Sequence, residues 1–161
     1  MWRVSLGGLV LGLLASGCGA EGACGPEAGV VARVVDGDTV VLQTGERVRY
    51  LLVDTPETTG GHDDCFGAEA RDFNRALVEG RGVRLHYAEA CTDRYGRLLA
   101  YVSVDGREVN SLLAREGYAC VLYVSPAGRS RRAEFEALES SARRARKGLW
   151  GACAAPGPCD E

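Results

Sequence analysis

The 161-residue chain has no CxxC pair, only two histidines, no surplus of basic residues, no internal repeat and no low-complexity stretch. Each absence closes a route. Without CxxC, and with His62 and His86 away from ligand spacing, a zinc site has little to build on. A thiol redox protein would lack both its motif and any activating context. A formal net charge of −3 argues against holding nucleic acid by charge alone, so any such partner must be met at a local site. The apolar run from Leu6 to Leu14 is too short to span a bilayer comfortably.

That run has another reading. Arg3 gives a short positive start, the apolar stretch follows, and Ala15, Ser16 and Gly17 supply the small residues of an export signal over residues 1–17. A buried N-terminal helix is the alternative, but Gly7, Gly8 and Gly12 weaken it. The pattern Leu-Ala-Ser-Gly-Cys resembles the lipobox of bacterial lipoproteins, which would make Cys18 the lipidated first residue of the mature chain, anchored to a membrane of the cell envelope. Gly19 in place of Asp implies, by the same resemblance, an outer-membrane destination; plain secretion is the rival. Residues 18–28 read as attachment cysteine and tether, 29–151 as one domain, and 152–161 as a Cys/Pro/Gly tail. At 46% hydrophobic and 25% charged residues, that domain can bury a real core.

Beyond Cys18 there are six cysteines: Cys24, Cys65, Cys91, Cys120, Cys153 and Cys159. An even number in an exported chain points to disulfides, up to three of them, with 15 possible connectivities.

Along the domain, VVARVV and TVVLQT are β-branched runs split by DGD, and TGE turns into RVRYLLV, so three strands form a meander. GAEARDFNRALVEG places Ala70, Phe73, Ala76 and Leu77 on one helical face ended by Gly80. VRLHYAE and RLLAYVSV read as a fourth and fifth strand around the turn TDRYG. VNSLLAREG reads as a short helix, YACVLYV as extended, and residues 131–147 as an amphipathic helix. Five strands with one helix inserted after the third and more at the end predict a mainly β, α+β protein: a five-stranded OB-fold barrel with three helices.

Three polar clusters sit on turns or strand ends: Asp36-Gly37-Asp38-Thr39; Arg49 with Asp54, Thr55 and Glu57; and Asp93-Arg94-Tyr95-Gly96-Arg97. Each alone has a plain explanation as a turn, a helix cap or a solvated surface. Together they hold more. Carboxylates at two turns offer hard oxygen ligands to Ca²⁺, Mg²⁺ or Mn²⁺. A third carboxylate can act as general base toward water, and two guanidinium forks fit a phosphate. Those are the parts of a phosphodiester hydrolase.

VVDGDTV, RYLLVDTPE, FGAEA, TDRYGRLLAYV, Asp105-Gly106 with Val109-Asn110, and RKGLW resemble, in order and spacing, the staphylococcal-nuclease-like (thermonuclease) family, from about Val30 to Trp150. The resemblance implies an OB-fold monomer that hydrolyses DNA and RNA with one Ca²⁺ ion. It implies that Asp38, Asp54 and the Thr55 carbonyl hold the metal, that Glu57 is the general base, and that Arg49 and Arg97 hold the scissile phosphate. Tyr95 and Tyr123 would meet the nucleotide, and Asp36 would support the turn and the metal shell. A family-like barrel kept only for binding nucleic acid or protein is the alternative, against which all five of Asp38, Arg49, Asp54, Glu57 and Arg97 are present.

Three departures from the family pattern stand out. Ser125 occupies a position where a second nucleotide-binding tyrosine can stand. The loop TTGGHDDC is acidic where a basic loop is common. The extra cysteines include Cys65 and Cys91, whose positions suggest a Cys65–Cys91 bridge between that loop and the DRYGR turn.

Overall fold

The computed structural model describes residues 24–154 and residue 159. The export segment and Cys18 lie outside the described residues. The elements run β1 (Ala28–Val34), β2 (Thr39–Leu42), β3 (Arg47–Tyr50), α1 (Gly67–Val78), β4 (Gly82–Thr92), β5 (Leu98–Val104), β6 (Arg107–Glu108), α2 (Val109–Glu116), α3 (Arg132–Arg144) and α4 (Leu149–Ala152). β1 to β5 close on themselves: the order β3-β2-β1-β4-β5 is completed by a parallel β3–β5 pairing, Val48 to Leu98 and Tyr50 to Ala100. This is the expected five-stranded barrel with three principal helices. Closure leaves β3 paired along both edges, to β2 and to β5.

The barrel interior is aliphatic: Val31, Val40, Leu42, Val48, Val53 and Val102 are fully buried beside Tyr50. Helices cap it through Val78 of α1, Leu113 of α2 and Phe135 of α3. Two buried amides fasten helices to the loops that matter. Asn74 of α1 accepts the Tyr50 hydroxyl at 3.0 Å and donates to the Asp36 carbonyl at 3.3 Å. Asn110 of α2 donates to the Leu51 carbonyl at 2.9 Å and accepts from Val102 N–H at 2.9 Å. Buried polar groups of this kind specify one arrangement because a slip would orphan them.

The expected strand over residues 47–53 stops at Tyr50. There the chain turns, with Leu52 at φ 62°, outside the extended region a strand requires. Leu51, Leu52 and Val53 are all buried in that turn. The segment YACVLYV, expected to be extended, joins no sheet strand. It makes one isolated antiparallel bridge, Asp54 to Cys120.

All six of these cysteines pair, as Cys24–Cys91, Cys65–Cys153 and Cys120–Cys159. The expected Cys65–Cys91 link is therefore wrong. β1 runs antiparallel to β4 in the register Ala28 to Arg84. Extending that register backward carries Cys24, not Cys65, along the far end of β4, where its Cα lies 4.9 Å from that of Cys91. Phe66 packs on Tyr118 beyond α2 (ring centroids 5.4 Å apart) and draws Cys65 toward the C-terminal segment instead.

Candidate active site

The turn between β1 and β2 carries the first two acids. The Asp36 carboxylate accepts from Asp38 N–H at 3.1 Å, the local bond that closes such a turn. Gly37 between them has no room for a side chain, since a Cβ would lie 2.6 Å from the Thr55 methyl. The turn and the Thr55 segment thus interlock at backbone distance. Asp38 uses both oxygens: Oδ2 accepts from Thr55 N–H at 2.7 Å and the Thr55 hydroxyl at 3.0 Å, while Oδ1 accepts from the Thr39 hydroxyl at 3.1 Å.

Arg49 ties this turn to the next. Its Nε lies 3.2 Å from Asp38 Oδ1, and its Nη2 donates to Asp54 at 2.5 Å. Nη1 donates to the carbonyls of Tyr50 at 2.9 Å and Val53 at 2.5 Å. The turn after Tyr50 is what makes this possible. It folds the chain back so that Asp54 returns to the guanidinium, where a straight strand would have carried it away. Asp54 is pinned from the other side by Cys120, with both backbone bonds at 2.9 Å.

The cluster is charged against its surroundings. Burial pushes Asp36 up to about 7, with the Asp38 charge adding to it. Burial also pushes Asp54 up to about 6; Arg49 opposes this, while Asp38 and Glu57 reinforce it. Burial works against the charge of Arg49, but Asp38, Asp54, Asp36 and Glu57 hold its pKa above the ordinary value. Glu57 is itself exposed, accepts the Thr59 hydroxyl at 2.7 Å, and stands near enough for its charge to be felt by Asp36, Arg49 and Asp54.

The DRYGR turn between β4 and β5 is organised by Asp93. Its Oδ1 accepts from Tyr95 N–H at 2.9 Å and Arg97 N–H at 3.0 Å, and its Oδ2 from Arg97 Nε at 2.7 Å. Partial burial acts to raise the Asp93 carboxyl, yet the Arg97 backbone and guanidinium hold it below its usual range. Tyr95 is 67% exposed, with the guanidiniums of Arg94 and Arg97 4.8 and 5.5 Å from its ring centroid.

Arg49, Arg97 and Tyr95 line one cleft of about 530 Å³, whose lining also includes an aliphatic wall of Leu99, Leu122 and Val124. Tyr123 is not brought to it. Between Leu122 and Val124 the extended chain alternates, so Tyr123 turns away toward Arg129 Nε (3.4 Å from its hydroxyl) and Arg132 (4.8 Å from its ring centroid). Sequence reasoning missed the aliphatic wall, although the alternation in CVLYVS puts positions 122 and 124 on one side. It also missed Asp93 as the organiser of its turn.

Among the described residues no three His, Cys, Asp or Glu side chains form a ready-made metal cluster. The donor chemistry nonetheless fits a hard divalent cation. Asp38 and Asp54 touch one buried guanidinium that also feels Asp36 and Glu57, and repulsion among these acids is part of what holds Asp36 and Asp54 high. A cation coordinated by carboxylate and carbonyl oxygen would relieve that imbalance.

The family profile described as "Staphylococcal nuclease homologue" matches residues 47–152. Endonuclease YncB of Bacillus subtilis (strain 168) is 39% identical over 124 residues, covering 73% of this chain and 59% of that protein. The SPbeta prophage-derived endonuclease YokF of the same organism is also 39% identical over 124 residues, and 42% of its length is covered. This chain thus spans about half the length of these two curated relatives. Thermonuclease of Staphylococcus hyicus is 34% identical over 125 residues, covering 74% of this chain and 73% of that protein.

Proposed function

The chain belongs to the family of staphylococcal nuclease homologues, and from that premise we propose that it is a divalent-cation-dependent endonuclease, hydrolysing phosphodiester bonds of DNA and RNA. The observation that carries the reading is Arg49. It locks the two acid-bearing turns together and also lines the cleft that holds Arg97.

In this mechanism a backbone phosphate enters between Arg49 and Arg97, whose N–H groups offset charge as it builds on the phosphoryl oxygens. Glu57 takes a proton from a water whose oxygen bonds to phosphorus. One phosphorus–oxygen ester bond breaks as that bond forms, and the departing alkoxide is protonated from solvent. Asp38, Asp54 and the Thr55 carbonyl would hold the cation, with Asp36 in support; Ca²⁺ in place, or Mg²⁺ or Mn²⁺, supplies further charge neutralisation at the phosphate. Tyr95, at the rim, borders the nucleotide, and the aliphatic wall of Leu99, Leu122 and Val124 takes its base.

The same reading has the chain exported and, through an acylated Cys18, anchored at the cell envelope. Mass spectrometry of the N-terminal peptide from membranes tests this, since an unmodified Cys18 would replace anchoring with secretion.

Digestion of single-stranded DNA and of RNA by residues 19–161, with Ca²⁺ and with chelator, tests the reaction. We expect Ca²⁺-dependent cleavage that Glu57→Gln lowers by about 10²–10⁴-fold. A folded protein that cuts neither substrate with any divalent cation would be a binding module instead.

A further inference from the structure

Glu57 begins a loop that is closed on itself. Its backbone N–H donates to Asp64 Oδ2 at 3.0 Å, and Asp64 N–H donates back to the Glu57 carbonyl at 3.0 Å. The Asp64 carbonyl then accepts Gly67 N–H at 3.0 Å, joining the loop to the first residue of α1. Gly67 is pressed against the same neck. A Cβ there would lie 3.0 Å from the Glu57 carbonyl oxygen and 2.7 Å from the Thr58 methyl, so only glycine fits. Immediately after Asp64, Cys65 is bonded to Cys153. The loop itself is built of Thr, Gly and His-Asp-Asp residues with nothing apolar to hold its shape. The neck therefore fixes the Glu57 backbone beside the buried cluster, and the Thr59 hydroxyl, inside the same loop, meets its carboxylate at 2.7 Å.

We propose that Asp64 is a positioning residue for Glu57: by accepting the Glu57 N–H it sets where the Glu57 carboxylate stands relative to the phosphate cleft. This rests on the reading of Glu57 as the base. What Asp64 supplies is an acceptor oxygen at the neck rather than a charge, which separates the idea from a general electrostatic effect. Small displacements of a reacting group cost rate rather than binding, because alignment is what the transition state needs.

The test uses the oxidised full chain and four variants: Asp64→Ala, Asp64→Asn, Glu57→Gln, and Asp64→Ala combined with Glu57→Gln. Asp64→Ala should lower kcat about tenfold or more at a KM within about twofold. Asp64→Asn, which keeps an acceptor oxygen, should stay within about twofold of the unaltered enzyme. On the Glu57→Gln background, Asp64→Ala should cost nothing further, since it acts through a group already removed. A loss that falls on KM, an equal loss on the Glu57→Gln background, or a folded Asp64→Asn as impaired as Asp64→Ala would each overturn the proposal.

Should Asp64→Ala not fold, Asp64→Asn still decides between acceptor and charge. Amide hydrogen exchange on the unaltered chain tests the neck directly. The Glu57 N–H should be protected well beyond those of Gly60 and Gly61, and exchange as fast as theirs would overturn the proposal. Absence of any cleavage by the unaltered chain would sink the nuclease reading instead, leaving the exchange rate to decide the neck by itself.

Discussion

Arg49 and Arg97 face one cleft, yet they are held by opposite constructions. Arg49 keeps 10% of its side chain in solvent and is gripped by carboxylates from two different turns and by two carbonyls of the fold-back after β3. Arg97 keeps 24% of its side chain in solvent and is steadied by one carboxylate, Asp93, four residues away in its own turn. The first cation is part of what folds the site; the second is mounted on a finished frame. The two should therefore fail differently.

The largest effect is expected at the buried member. Arg49→Ala strands the buried Asp38, unpairs the part-buried Asp54 and removes the donor to the Tyr50 and Val53 carbonyls. It should abolish cleavage and lower unfolding free energy by about 3–5 kcal/mol, read by denaturant titration. Stability within about 1 kcal/mol of the parent would mean that the two turns hold together without it.

Arg97→Lys sharpens the contrast from the other side. Losing the planar fork should reduce turnover about 10²-fold with the unfolding midpoint nearly unmoved, because its ion pair is local and part-exposed. A large loss of stability there would erase the distinction.

A pH series on the metal-free protein comes next. Asp36 and Asp54 have folded-state pKa values of about 7 and about 6, above the usual aspartate value. The folded state thus binds more protons than the unfolded one across roughly pH 4–7. Stability in chelator should rise as pH falls from 7.5 to 5, on the order of 1 kcal/mol or more, and Asp36→Asn should flatten the slope. Asp93, tied to Arg97 and held low, belongs to the opposite case: its contribution is lost only below that window, as pH falls through its folded-state value. A flat profile between pH 7.5 and 5 would deny the buried cluster its strain.

The smallest effect is expected at Tyr123. Since it faces Arg129 and Arg132 rather than the cleft, Tyr123→Phe should change KM by less than about twofold. Leu122→Asp, placing a charge on the cleft wall, should raise KM well beyond that.

The same contrast explains what could be read from residues alone. The barrel was legible because β-branched runs and Asp-Gly turns declare strands and hairpins locally. The DRYGR turn was legible because Asp and Gly punctuate it between two apolar strands, although the Asp93–Arg97 pair inside it was not. The Arg49 cluster was legible only in its membership. That Asp54 comes back to Arg49 depends on Leu52 adopting a left-handed conformation amid the buried Leu51–Val53 turn, which no run of apolar residues declares. The disulfide partners were hidden for the same reason, since each pair is set by which elements meet in space. Asp64 escaped notice because its partner is a backbone amide, which leaves no mark on composition.

Of the three disulfides, Cys65–Cys153 overlaps both Cys24–Cys91 and Cys120–Cys159 in sequence and bridges the gap between them. Every peptide bond between Cys24 and Cys159 consequently lies inside the span of at least one of them. A protease that cuts the chain once, even in the exposed Gly60-Gly61 loop, produces two fragments that cannot drift away from each other. The nicked molecule keeps its mass and its chance of staying assembled until a reductant or a second cut arrives.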